Sequence, residues 1–296
     1  MKMPLKMHTP LACLLASLAS VTSLNTWATT PTGTPHAPTH TTPPTPTGLP
    51  LWEAGMAVGA GYVPDYPGAN HSRSRSAVLP VFIYRGPVLR IDGGSVSGRL
   101  VRSSDWELDL SANGAFNANN NDLRQGMPDL DYLFGIGPQA VYKGLNTWPG
   151  KPTLHLKLRA IMSTDFSRVD SRGISFDPQL RWRLPQVAGT PATLSLSLQP
   201  SWASRSLQSY FYQVNPSEAT ATRPAYNARA GYMGTEVGIT LSHRPQRDVS
   251  WFFTARLMSL HGAVNTPSPL LRDKSNFSVG AGVVWTPWRS GSKATD

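Results

Sequence analysis

Strict alternation of apolar and polar residues constrains this chain more than any other feature of its sequence. In TLHLKLRAIM (153–162), apolar residues occupy the even positions, and His155, Lys157 and Arg159 occupy odd ones. TLSLSLQPSW (193–202) repeats the pattern, with leucine set against serine. Period two is typical of a β-strand with one apolar and one polar face, because successive side chains point to opposite sides. The sequence therefore predicts an all-β protein.

Roughly eleven runs of this kind follow one another along the chain, and no amphipathic helix is predicted between them. They lie near 51–62, 77–85, 87–102, 105–116, 131–143, 153–164, 172–184, 191–204, 229–243, 249–260 and 275–287. Single-chain bacterial barrels generally use even strand numbers, so we expect about twelve strands, with about ten as the alternative. The missing strand is either LQSYFYQV (207–214) or a run that has been divided wrongly.

The lengths of the runs and of their connections favour a membrane barrel over a soluble one. Several runs span about ten to twelve residues, close to the roughly 9–11 that cross a bilayer at a tilt. Soluble strands are most often about 5–6 residues long. The connections 146–152 and 243–249 are short, while 116–129 and 205–228 are long and polar, a distribution typical of outer-membrane barrels. The prediction is a closed antiparallel transmembrane β-barrel.

The two faces of the runs carry different chemistry. Aromatic residues such as Trp52, Trp106 and Trp285 lie near run ends, where an indole can reach the lipid headgroups. Charged residues occupy the opposite face, which we expect to line a narrow lumen that side chains largely fill. The predicted lumen-facing residues are Glu107, Asp109, His155, Lys157, Arg159, Arg181, Arg183 and Arg256.

The terminal segments predict export. Residues 1–28 join two lysines to a Leu- and Ala-rich run and end on a small-x-small cleavage site, the layout of a signal peptide. Residues 29–50 are almost wholly Thr, Pro, Gly and His, which predicts a disordered tether. The barrel is expected over 51–288 and a C-terminal tail over 289–296.

Composition excludes several function classes. The only cysteine, Cys13, lies in the predicted leader, so the exported chain has no disulfide, thiolate metal site or cysteine nucleophile. The formal net charge of +10 favours anionic lipid or lipopolysaccharide as a partner. Because the arginines are scattered rather than clustered, no nucleic-acid partner is predicted.

The stretch RQGMPDLDYLFGIGP (124–138) is the strongest candidate for an acidic or metal site, since it places Asp129 and Asp131 close to Asp122. Ca²⁺ favours such oxygen clusters, but the closing Glu of a calcium loop is absent. We interpret the stretch instead as the junction between a long loop and a strand, with no metal and with its carboxylates pairing with Arg124 at the barrel rim. The residues of this signature loop are Arg124, Gly126, Pro128, Asp129 and Asp131.

Six segments together resemble the MipA/OmpV family of outer-membrane proteins. They are GAGYVPDYPGA (59–69), VLPVFIYRG (78–86), GGSVSGRL (93–100), RQGMPDLDYLFGIGP (124–138), YFYQVNPSEA (210–219) and SPLLRDKSNFSVGAGVVW (268–285). The resemblance implies a barrel in the outer membrane of a Gram-negative cell, in contact with its lipid and lipopolysaccharide. It also implies a scaffold that brings the lytic transglycosylase MltA together with a bifunctional penicillin-binding peptidoglycan synthase. Family members carry no known catalytic apparatus or cofactor, so no active-site residues transfer.

Two alternatives remain open. The barrel could be a narrow channel, or a porin-like protein of osmotic or antibiotic responses, in which lumen arginines select anions. It could also be an outer-membrane hydrolase with His155 as the base, although no serine lies in a G-x-S-x-G elbow. We expect a protein that is not an enzyme.

Overall fold

The computed structural model describes residues 46–85, 89–92, 95–98 and 105–295. Within them, chain order gives fourteen strands and one α-helix. The elements are β1 (Pro46–Pro50), β2 (Trp52–Pro64), β3 (Ser72–Arg85), β4 (Leu89–Asp92), β5 (Ser95–Gly98), β6 (Trp106–Ala115), β7 (Tyr132–Tyr142), β8 (Thr153–Thr164), β9 (Val169–Pro185), β10 (Thr193–Ala203), α1 (Arg205–Tyr212), β11 (Gly231–His243), β12 (Val249–Ser259), β13 (Ser275–Arg289) and β14 (Lys293–Thr295). Short 3-10 turns cover Asp122–Arg124, Val187–Gly189 and Pro216–Glu218.

Strands β2 to β13 form a closed antiparallel barrel of twelve strands. Strands that follow one another in the chain pair with one another, and β13 pairs with β2 from Val279↔Tyr62 to Arg289↔Glu53 to close the sheet. Closure satisfies the backbone hydrogen bonds of both terminal strands, which a membrane-spanning sheet requires. The predicted fold and the preferred strand number are confirmed.

The twelfth strand does not come from LQSYFYQV (207–214). Residues 207–212 of that segment lie in helix α1, which buries Leu207, Gln208, Phe211 and Tyr212 on one side. These positions follow the spacing of a helix, so the prediction of a possible strand there is wrong. The run 87–102 instead contains two strands, β4 and β5, which pair as a hairpin.

The outward face of the barrel is apolar. Side chains exposed at alternate positions form a band around the barrel, and Val58, Val237 and Leu257 are examples. Water-soluble proteins rarely expose a continuous apolar surface of this extent, whereas a bilayer requires one. The fold is therefore that of an outer-membrane β-barrel.

Helix α1 and the other helices of the described residues are too short or too polar to span a membrane.

The connections differ between the two ends. One end, which we call the cap end, carries the segments 65–71, 116–131, 204–230 and 260–274, which include the long loops. The opposite end, which we call the short-turn end, carries the connections 143–152, 186–192 and 244–248. Long loops face the cell exterior and short turns face the periplasm in barrels of this type.

Both ends of the described chain lie at the short-turn end, where β1 and β14 form a separate two-stranded sheet. The Leu51 N–H donates to Ser292 O at 2.9 Å, and Lys293 Nζ donates to Gly48 O at 3.2 Å. The last residues of the predicted tether, 46–50, are thus paired with the predicted C-terminal tail. The predicted signal peptide and the rest of the tether lie outside the described residues.

Candidate functional site

The loops of the cap end fold over the lumen as an ordered cap. Apolar side chains from several loops and strand ends pack into one buried cluster. Its members are Tyr66, Ala69, Ala118, Leu130, Leu133, Ile161, Ala203, Leu207, Phe211, Tyr212, Ala228, Met233, Leu260, Ala263 and Leu271. Burial of this much apolar surface stabilises the loops in one arrangement. The polar sequence of these loops gives no indication of the cap.

Two arginines join the cap loops through backbone carbonyls. Arg223 Nη1 donates to Leu123 O and Gln125 O, both at 2.9 Å, and Arg223 Nη2 donates to Glu218 O at 2.7 Å. Arg124 is buried and donates to Phe211 O at 3.1 Å. Each arginine therefore links the 116–131 loop to the 204–230 loop.

Burial in the cap shifts the ionisation of its polar groups. Desolvation raises the pKa of Tyr66 to about 12, and also raises the pKa of Tyr212. The pKa of Arg124 is lowered, mainly by its own burial. Both phenols stay neutral at physiological pH and donate to carbonyls, Tyr66 Oη to Leu270 O at 2.9 Å and Tyr212 Oη to Pro67 O at 2.8 Å. The interior of the cap is thus a water-poor, hydrogen-bonded region.

The signature loop differs from its prediction in one respect. Arg124 donates to Pro128 O at 3.2 Å, as well as to Phe211 O, and forms no ion pair with a carboxylate of the described residues. Asp129 Oδ1 accepts the Asn120 N–H at 3.2 Å, and Asp131 Oδ2 lies 3.7 Å from Arg172 Nη2. The expected pairing of Arg124 with these carboxylates is wrong, because burial places its guanidinium among carbonyl oxygens instead.

Glycine is required at two positions of this loop and the following strand, for a different structural reason at each. Gly126 adopts a φ of +78°, a conformation that side chains disfavour. A Cβ at Gly135 would lie 2.3 Å from Asn113 Oδ1 and 2.6 Å from Ile161 Cδ1. Gly135 thus allows neighbouring inward side chains to approach closely, and leaves no free space of its own.

Below the cap, inward side chains form a hydrogen-bonded polar layer across several strands. Arg159 Nη1 donates to Asp177 Oδ2 at 2.9 Å, and Arg159 Nε donates to Ser111 Oγ at 2.9 Å. Arg256 Nη1 lies 3.3 Å from Glu236 Oε1. We define the polar layer as Lys157, Arg159, Asp177, Gln179, Arg181, Gln199, Glu236 and Arg256.

Lys157 and Arg181 of the polar layer bond to amides. Lys157 Nζ donates to Gln179 Oε1 at 2.8 Å and to Gln199 Oε1 at 3.0 Å. Arg181 Nη2 donates to the same Gln179 Oε1 at 2.9 Å. His155 lies one inward position nearer the short-turn end, where its Nε2 bonds Thr153 Oγ1 at 2.9 Å.

The other predicted lumen residues are Glu107, Asp109 and Arg183. Glu107 pairs with Lys143 near the short-turn end. Arg183 follows Arg181 on the same face of β9. The backbone of Asp109 pairs with Gln139, and its side chain lies outside the described part of the chain.

A buried carboxylate, which was not among the predicted lumen residues, joins the strands at the short-turn end. Glu53 Oε1 accepts from Arg85 Nη1 at 3.0 Å, and Glu53 Oε2 accepts from Arg244 Nη2 at 2.9 Å and Thr286 Oγ1 at 3.3 Å. These partners are far apart in sequence, so no local motif announces them. In the sequence, only the alternation along β2, which places Glu53 on the inward face, indicated that it could have such a role.

A cavity of about 320 Å³ lies between the cap and the polar layer. Its cap side includes Leu133, Phe211 and Met233, and its other side includes Gln199 and Arg256. The volume is at the lower end of the roughly 300–1,000 Å³ typical of ligand sites. The cavity can therefore hold a small molecule with one apolar and one polar part.

Comparison with known families decides the membership of this chain. The family model described as "MltA-interacting protein MipA" matches residues 56–287, most of the barrel. The chain belongs to the MipA family. No curated protein matches it significantly.

Two solved structures align with most of the length of this MipA-family chain. The NanC porin is 11% identical, with 78% of this chain and 99% of that chain covered and a TM-score of 0.37. An outer membrane channel from Pseudomonas putida F1 is 13% identical, with 80% and 96% covered and a TM-score of 0.46. At these values neither similarity bears on function.

Two kinds of site are relevant among the described residues of the MipA-family barrel, a metal cluster and a triad centred on His155. Those residues contain no group of three His, Cys, Asp or Glu side chains placed to hold a metal ion. His155 Nδ1 is buried without a hydrogen-bond partner among them, so no described carboxylate orients the ring as in a hydrolase triad. The arrangement is suited to closing the lumen and to binding.

Replacing Arg223 by alanine is expected to loosen the cap, because it removes the donors to two carbonyls of the 116–131 loop and to Glu218 O of its own loop. Hydrogen bonds from charged donors contribute about 1.5–3 kcal/mol each, and they do not add fully. We expect amide hydrogen exchange in 116–131 and 204–230 to be at least tenfold faster. This rate change corresponds to a decrease of about 1.4 kcal/mol in the free energy of local opening. Arg229→Ala is the matched control, since Arg229 is exposed and its side chain donates to Val264 O. Equal exchange rates in both variants would show that Arg223 does not hold the cap.

Proposed function

We propose that this MipA-family protein is a non-enzymatic scaffold in the outer membrane. It would bring a lytic transglycosylase of the MltA type together with a peptidoglycan synthase. The closed lumen carries the proposal: the cap covers one end, and the polar layer bonds across the inner face below it. A barrel built in this way supports attachment of partners better than conduction. The family description as an MltA-interacting protein points the same way.

The proposed orientation places the short-turn end in the periplasm, where cell-wall enzymes act. An N-terminal signal peptide would export the chain, and residues 29–45, which lie outside the described residues, would serve as a tether with a Thr- and Pro-rich composition. The apolar outward face would contact outer-membrane lipid, and the cap end would meet lipopolysaccharide. This orientation makes the short turns the available contact surface for partners.

Trp148 is the most distinctive side chain on that surface. It is exposed in the 143–152 turn between β7 and β8. Exposed tryptophans are frequent anchors of protein interfaces. Truncation of one such hot-spot side chain to alanine typically weakens the free energy of binding by about 2 kcal/mol or more. We propose that Trp148 contributes to a partner contact.

The test measures binding of a purified MltA-type lytic transglycosylase to this protein in lipid nanodiscs. We expect saturable binding, at least tenfold weaker for Trp148→Ser. The matched control is Phe166→Ser, because Phe166 is also more than half exposed but lies in the 165–168 turn at the cap end. The control should bind as the unaltered protein does. Absence of binding to the unaltered protein would overturn the proposed partner. An equal loss of affinity in both variants would overturn the proposed contact surface.

A further inference from the structure

The cavity between the cap and the polar layer has one apolar side. Leu130, Leu133, Ile161, Leu207 and Phe211 line it, and all five belong to the buried cluster of the cap. Their side chains offer no hydrogen bond to water or to a polar ligand, and burial of apolar surface against them is favourable. A molecule in the cavity is therefore stabilised when it places an apolar body against the cap.

The charged groups of the cavity lining are held in ion pairs. Among the described residues, four carboxylates and two arginines line the cavity. The pairs are Asp177 with Arg159 at 2.9 Å, Glu236 with Arg256 at 3.3 Å, Asp65 with Arg73 at 3.1 Å and Asp131 with Arg172 at 3.7 Å. An ionised ligand would lose its hydration here without gaining an unpaired opposite charge from these groups, which is costly. The lining therefore disfavours both anions and cations.

Neutral polar side chains of the lining are available for binding. Asn113, Ser201 and Ser278 line the cavity, and within the described part of the chain their side chains make no hydrogen bond. A Cβ at Gly135 would collide with both Asn113 Oδ1 and Ile161 Cδ1, so the carboxamide and an apolar side chain lie together over this glycine. A carboxamide both donates and accepts hydrogen bonds. Asn113 thus matches a neutral group that does the same, such as a hydroxyl or another carboxamide.

We propose that the cavity binds a small uncharged amphipathic molecule. Its apolar body packs against the cap, and its hydroxyl or carboxamide forms hydrogen bonds with the Asn113 carboxamide. The volume of about 320 Å³ suits a body of one or two rings, on the order of 10–15 non-hydrogen atoms, in keeping with the smallest ligand sites. This binding site goes beyond the scaffold role and does not depend on it.

The first test compares three probes of similar shape: neutral 2-naphthamide, anionic 2-naphthoate and cationic 2-naphthylmethylammonium. Calorimetric titration uses the full barrel in phosphatidylcholine nanodiscs, with empty nanodiscs subtracted to remove partitioning into lipid. We expect saturable binding of one 2-naphthamide per barrel and at least tenfold weaker binding of each ion. No binding of 2-naphthamide above empty nanodiscs, or binding of either ion as tight as that of the amide, would overturn the proposal.

The second test removes the hydrogen bonds to the ligand. Asn113→Leu keeps a side chain of similar size, and it is expected to weaken 2-naphthamide binding at least fivefold. Binding of naphthalene, which has no hydrogen-bonding group, should change less than twofold. Asn119→Leu is the matched control, because Asn119 is exposed in the 116–131 loop and lies outside the cavity lining. Equal effects of the two substitutions on 2-naphthamide binding would overturn the assigned contact.

The third test fills the cavity, and it keeps the proposal testable if Asn113→Leu does not fold. Ser201→Leu is expected to weaken binding of 2-naphthamide and naphthalene alike at least tenfold. Ser197→Leu is its control, because Ser197 shares the inward face of β10 but lies outside the cavity lining. Unchanged binding in Ser201→Leu would place the ligand elsewhere and overturn the site.

Folding of each variant is checked by the change in electrophoretic mobility on heating. Partner binding is tested separately, through Trp148 at the short-turn end, and these titrations contain no partner protein. Failure of the scaffold proposal therefore leaves the outcome of the probe titrations unchanged.

Discussion

Replacing Glu53 by alanine is expected to destabilise the barrel by about 3–5 kcal/mol, the usual cost of removing one partner of a buried ion pair. Glu53 is only 4% exposed and accepts from Arg85, Arg244 and Thr286. The substitution leaves the buried guanidinium of Arg85 without its counter-charge. It also removes a link between β2, β13 and the 244–248 turn at the seam where the barrel closes. The free energy of unfolding in lipid vesicles, from urea titration, measures this loss.

Glu107→Ala provides the comparison. Glu107 also forms an ion pair near the short-turn end, with Lys143, but that pair is partly exposed to solvent. Exposed pairs contribute about 0–1 kcal/mol, so this variant should unfold almost as the unaltered protein does. Losses of similar size in the two variants would contradict the structural role assigned to Glu53.

Replacing Val237 by arginine is expected to cost about 2–4 kcal/mol, the penalty for a cation on the lipid face at the bilayer midplane. Val237 lies at the middle of β11, is 53% exposed, and pairs with Leu198 and Leu257 on the outward face. Its side chain meets hydrocarbon once the barrel is in a membrane. The same urea titration in vesicles measures the effect.

Val169→Arg separates membrane depth from residue type. Val169 is 61% exposed, but it is the first residue of β9, at the cap end. Near the interface the penalty falls to about 0–1 kcal/mol. If both arginine variants lost the same stability, the apolar outward face would not be the surface that spans the bilayer.

Much of the fold could be predicted because it depends on local alternation. The parity of Lys157 and Arg159 against the leucines of β8 assigned inner and outer faces before any partner strand was known. Where alternation was weak, prediction was less accurate. LQSYFYQV contains aromatic residues that are common in strands, but Leu207 and Phe211 lie four residues apart and share a helical face in the cap. Burial in the cap decided the helix.

The candidate site was predicted only in part, for a different reason. The charged residues of β8 and β9 were assigned to the lumen by parity, yet their bonding partners depend on how neighbouring strands are staggered. Gln199 meets Lys157 across strand β9, and Ser111 meets Arg159 across strand β7. The spacing of residues along the sequence does not predict these hydrogen bonds. The same holds for Arg124, whose carbonyl partner at Phe211 belongs to a distant loop.

The sequence by itself determined that the chain is an all-β barrel of about twelve strands, with an apolar outer face and a charged inner face, because period two is a local property of each strand. The tertiary structure decided that long loops close one end of the lumen, that Glu53 joins the barrel seam, and that a cavity lies between the cap and the polar layer. These features arise from contacts between residues distant in the chain. They depend on strand register and loop packing, which alternation leaves unspecified.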